Sequence, residues 1–93
     1  MKIVDLYKNT EVDLEKTVTL STNNGGVLTF QIVDALVFIE EMKIQEELKF
    51  LHYLATSKDK PTQDSITSFL KHLFFDVSLS KQFVQWQRNC SAA

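Results

Sequence analysis

Apolar and polar residues alternate with a period of two along Thr17-Val18-Thr19-Leu20-Ser21. Together with the β-branched residues there, this predicts a half-buried strand. Asn23-Asn24-Gly25-Gly26 follows, and these residue types tolerate the positive φ angles of a tight turn. Val27-Leu28-Thr29-Phe30 reads as the returning strand, with Leu28 and Phe30 on the face that Val18 and Leu20 occupy across the pair. A lone hairpin is marginal in water, so this one must pack on something else.

From Gln31 or Asp34 the period becomes helical. Ala35, Phe38, Ile39 and Met42 form one apolar stripe, and Ile44, Leu48, Leu51 and Ala55 form another. The stripes differ in phase, because Lys43 and Glu46 stand where the first would continue. A helix over 34–55 therefore either bends near Lys43 to Gln45 or is buried on two faces. Thr56 to Pro61 is a loop, after which Thr62 can cap a helix whose first turn holds Asp64. Ile66, Phe69, Leu70, Leu73, Phe74 and Val77 give that helix an apolar face. Asp76 to Ser80 interrupts the series, and Ser78 or Ser80 can cap a last helix with Leu79, Phe83, Trp86 and Cys90 on one face.

The first sixteen residues carry mixed signals. Ile3, Val4, Leu6 and Tyr7 have helical spacing over too few turns to hold a helix alone. Val12 and Leu14 alternate with Asp13 and Glu15, a pattern that extends the following strand. The expected fold is α+β and predominantly helical: an N-terminal β-hairpin followed by three α-helices, or four if the first breaks. The expected organisation is a single small domain over 1–93, with an undefined segment at 1–16, the hairpin at 17–33 and the helical part at 34–90.

Length and composition support a core of limited size. A chain of 93 residues buries roughly 60–65% of the surface its unfolded form exposes. Hydrophobic residues make up 44% of this one, seven of them Phe. The formal net charge is −2, and Arg88 is the sole arginine. The densest basic stretch, Lys58 and Lys60, lies in the loop beside Asp59 and Pro61. Both facts argue against an electrostatic footprint for nucleic acid, which needs clustered cations. The longest apolar run, Ala35 to Ile39, is far short of the ~20 residues that span a bilayer. Asp5 breaks the apolar segment a signal peptide needs, and a single cysteine makes no internal disulfide. The expected location is the cytoplasm, the host's if the protein is viral.

The residues that carry chemistry elsewhere do not assemble into a motif here. His52, His72 and Cys90 lack the short-range spacings of zinc ligands, and Cys90 lies near a helix C-terminus, where a thiolate is not favoured. The pairs Glu40-Glu41 and Glu46-Glu47 are adjacent on a helix, so their carboxylates diverge and read as solvated faces. The glycines at 25 and 26 precede a strand, whereas a phosphate loop precedes a helix. The reading is a non-enzyme with no catalytic residue, metal or cofactor.

The aromatic end of the chain offers more. Phe74, Phe75, Phe83 and Trp86 crowd together with Leu73, Val77, Leu79 and Val84. Phe75 and Val84 fall off the helical stripes. A domain this small has little interior, so part of this surface is expected to meet another protein or a second copy of the chain. The candidate partner-binding residues are Phe75, Leu79, Phe83, Val84 and Trp86. The alternative is a small helix-turn-helix-like regulator that sets Lys71, Lys81 and Arg88 on phosphates, beside Gln82, Gln85, Gln87 and Asn89.

The segment from Thr17 to Met42, little more than a quarter of the chain, resembles the N-terminal part of tail-assembly chaperones from long-tailed bacteriophages. The likeness lies in Val27-Leu28-Thr29-Phe30 followed by Asp34-Ala35-Leu36-Val37-Phe38-Ile39-Glu40-Glu41, a short hairpin running into a helix of defined hydrophobic pattern. It implies a non-catalytic assembly factor that binds a tape-measure or tail-tube protein.

Overall fold

The structure, a computed structural model, describes residues 2–22 and 25–91, with only the backbone of Cys90 and Ser91. The turn expected at Asn23 and Asn24 and the placement of the Cys90 side chain lie outside what is described. The fold is α+β and predominantly helical. It runs α1 (Ile3–Tyr7), β1 (Thr17–Ser21), β2 (Val27–Gln31), α2 (Ile32–Glu41), α3 (Gln45–Thr56), α4 (Gln63–Phe74) and α5 (Val77–Ser91).

The hairpin obeys its pattern. Its strands are antiparallel, with Val18 opposite Phe30 and Leu20 opposite Leu28, and these four side chains are buried while their neighbours along each strand are exposed. Gly25 has φ +84°, a conformation that suits a residue without Cβ. The expected strand extension through Val12 and Leu14 does not form. The Lys16 N–H instead donates to the Asp13 carbonyl, closing a turn. Val12 is nonetheless buried, and the Leu14 carbonyl accepts from the Val33 N–H at 2.8 Å.

The change of phase in the sequence is a break between two helices. The Ile44 N–H donates to the Ile39 carbonyl, and the Lys43 N–H to the Glu40 carbonyl, both at 3.2 Å. These bonds make a Schellman end to α2, with Lys43 in the left-handed position at φ 54°. Glycine usually fills that position. A lysine there costs about 1 kcal/mol in backbone strain, which the burial of residues on both sides offsets. Each helix can then turn its own stripe inward, so Ala35, Phe38 and Ile39 of α2 and Leu51 and Ala55 of α3 are all buried. Met42, past the end of α2, is left exposed.

Thr62 caps α4 as its sequence predicts. Its hydroxyl accepts from the Ser65 N–H, and the Ser65 hydroxyl accepts from the Thr62 N–H. For α5 the expected Ser78 or Ser80 cap is replaced by Asp76, whose Oδ1 accepts from the N–H groups of Ser78 (2.8 Å) and Leu79 (3.2 Å).

The first helix is held by tertiary contacts, because five residues cannot sustain one alone. Ile3 and Tyr7 are fully buried. The Tyr7 phenol donates to the Leu51 carbonyl at 2.9 Å, and burial pushes its pKa well above the ordinary tyrosine value. The neutral phenol is thus favoured by the folded state, and its contribution is fully present below about pH 10, where an unfolded tyrosine titrates. It is lost as pH rises from there toward the folded value, by up to about 1.4 kcal/mol per pH unit. Denaturation followed from pH 8 to 11.5 should show this alkaline loss, and Tyr7→Phe should be less stable at pH 8 yet lose less on going to pH 11.5.

Candidate functional site

Four phenylalanines, one from each of four elements, meet at the centre. Phe30 of β2, Phe38 of α2, Phe74 of α4 and Phe83 of α5 have ring centroids 4.7–6.0 Å apart in five pairs. Phe74 and Phe83 stack within 13° of parallel, and Phe30 meets both edge-on. Rings in these arrangements gain about 0.5–1.5 kcal/mol per pair beyond their area. Trp86 covers one side, 5.7 Å from Phe38 and 5.8 Å from Phe83.

This cluster changes the reading of the candidate partner-binding residues. Phe83 is fully enclosed and belongs to the core, so it offers nothing to a partner. Trp86 is half-buried, and its indole N–H donates to Glu41 Oε2 at 2.6 Å, which fixes it to the end of α2. Leu79 and Val84 are half-buried and pack on the core. Phe75, in the turn between α4 and α5, is 51% exposed and is the member of the five that faces outward. Phe83 leaves the expected partner-binding set because Phe30 and Phe38, distant in sequence, supply the other half of the cluster that encloses Phe74 and Phe83.

Aromatic surface does lie outside the core, on a different helix. Phe50 is 43% and Tyr53 66% exposed, three residues apart on α3 and hence on one face. The Phe50 ring stands 5.0 Å from Phe69 of α4, itself half-buried, so the surface continues from α3 onto α4. The sequence held a signal for this. Phe50 and Tyr53 fall off the Ile44–Leu48–Leu51–Ala55 stripe, as Phe75 falls off that of α4.

Glu40 and Glu41 are more than a solvated face. Glu40 accepts from the backbone N–H of Ile3 at 3.1 Å, tying the start of α1 to α2, while Glu41 holds Trp86. His52 and His72 are exposed on α3 and α4. Among the described residues, no group of three or more His, Cys, Asp or Glu is placed to hold a metal ion, and no helix is long and apolar enough to cross a membrane. A second feature is an open groove between the hairpin and α5, bordered by Val27, Leu28, Lys81, Val84, Gln85 and Arg88. No family model matches this chain, and neither a curated protein nor a solved structure matches it.

Proposed function

We propose that this protein is a non-catalytic binding module whose partner is another protein, met through apolar and aromatic helix surface. The observation that carries the reading is the exposed Phe50–Tyr53 surface of α3, continued onto α4 by half-buried Phe69, in a chain whose core encloses Phe30, Phe38, Phe74 and Phe83. Aromatic side chains supply large contact area at low entropic cost and dominate tight interfaces. Phe75 adds a further exposed ring at the α4–α5 turn. The assembly-factor role implied by the hairpin-and-helix resemblance is one form of this activity. Two bound surfaces of this kind, or one shared by two copies, would suit a protein that holds others together.

The test is a paired comparison. Light scattering over a concentration series reports self-association, and affinity purification from the native host with mass spectrometry reports foreign partners. Phe50→Asp/Tyr53→Asp, at positions already exposed, should keep the fold and lower association by at least tenfold. Charge changes at Lys58 and Lys60, in the loop, should leave it unchanged. A double variant that associates as the parent does would remove α3 from the interface.

A further inference from the structure

Among the described residues, the groove between the hairpin and α5 has three properties that together define an occupant. Its lining includes three apolar side chains, those of Val27, Leu28 and Val84, around an open volume of about 370 Å³. Its α5 wall carries two cations, Lys81 and Arg88, and the described residues lining it include no carboxylate. Neither cation takes part in an ion pair among the described residues.

The third property is the edge of the hairpin. Lys16 pairs with Ile32 (3.1 Å) and Thr22 with Gly26 (2.8 Å) through backbone hydrogen bonds. Antiparallel ladders alternate bonded and non-bonded pairs, so Val18–Phe30 and Leu20–Leu28 are the bonded pairs between them. Ser21–Val27 and Thr19–Thr29 are non-bonded pairs, whose backbone N–H and C=O groups point away from the partner strand. Among the described residues the sheet has two strands, so Val27 and Thr29 present these groups at an outer edge, and neither makes a backbone hydrogen bond to a described residue beyond the hairpin. Val27 is 70% exposed at the mouth of the groove. An open strand edge is a template for another strand.

We propose that this groove binds an acidic peptide in extended conformation, which pairs with the Val27 edge of β2 and directs carboxylates at Lys81 and Arg88. The spacing fits. Seven residues of helix separate the two cations by about 10.5 Å, and two strand residues four apart, on the same face, stand about 13 Å apart. The difference is within the reach of a lysine or arginine side chain. An apolar residue midway between the two acids then lies over Val84. The proposal rests on the protein-binding reading above, though it assigns a surface separate from the α3 aromatics.

The probe is the peptide acetyl-Thr-Glu-Thr-Val-Thr-Glu-Thr-amide, titrated into the isotope-labelled protein and followed by NMR. Saturable shifts should centre on Val27, Thr29, Lys81, Val84 and Arg88. The double variant Lys81→Glu/Arg88→Glu, at two exposed positions, should bind it at least tenfold more weakly and should prefer the peptide with lysine in place of both glutamates. Methylating the peptide's backbone nitrogens on its pairing edge should weaken binding similarly. Phe50→Asp/Tyr53→Asp should bind the peptide unchanged, so failure here is distinguishable from failure of the α3 surface. Absence of saturable shifts, shifts centred elsewhere, or equal affinity for the two peptides would overturn the proposal. So would displacement by a single-stranded oligonucleotide of matched charge at equal concentration, which would make the groove a phosphate site instead.

Discussion

Phe83→Ala is expected to remove about 3–5 kcal/mol of stability, the range for truncating a fully buried aromatic side chain. The cost is large because Phe83 touches four other rings: Phe30 at 5.3 Å, Phe38 at 5.0 Å, Phe74 at 4.7 Å and Trp86 at 5.8 Å. Those rings come from the hairpin and from three helices, so the void cannot close by shifting one element. A domain of this size has about 5–14 kcal/mol in total, and the variant should melt about 15–30 °C below the parent. Phe75→Ala, at a ring half in water, should cost less than about 1 kcal/mol. Denaturant titration of both variants provides the comparison. Equal losses would mean that the two rings have similar surroundings.

Tyr7→Ala should have an effect of similar size, about 3–5 kcal/mol, for a different reason. The ring is fully buried and its hydroxyl reaches the Leu51 carbonyl 44 residues away. Removing it takes away both the apolar anchor and the hydrogen bond of a helix that is too short to persist alone. Hydrogen exchange should then show residues 3–8 unprotected at denaturant concentrations where α4 and α5 remain protected. Protection lost uniformly along the chain would place α1 inside the main cooperative unit.

How much of this was legible in the sequence depended on the range of the interactions involved. The hairpin was readable because alternation at Val18, Leu20, Leu28 and Phe30 is local, and the Thr62 cap because its partners lie within one turn. The break at Lys43 left its mark as a phase change, since each helix must bring its own stripe inward. Tyr7 left no such mark: its partner is on α3, and nothing in Ile3 to Tyr7 announces that contact. The same holds for Glu40 and Glu41, whose partners Ile3 and Trp86 are 37 and 45 residues distant.

The aromatic residues show both outcomes within one class. Periodicity set Phe75 apart from its helix's stripe; Phe50 and Tyr53 fall off theirs in the same way, but the expected surface lay on the denser cluster at the C-terminal end and did not include them. It had no means of showing that Phe30 and Phe38 would enclose Phe74 and Phe83. An excess of rings in a short segment is thus an ambiguous sign, because distant rings can absorb it. A ring that falls off its own helix's buried stripe is the better guide to surface.

Site-specific photocrosslinking in the native cell bears most directly on the role assigned to the α3–α4 face. A benzophenone side chain placed at Tyr53 should form adducts with a discrete protein, or with a second copy of the chain, while the same group placed at Thr19 on the outer face of the hairpin should not. Identical, diffuse adducts from both positions would contradict the assignment and leave the exposed aromatics of α3 without a binding role.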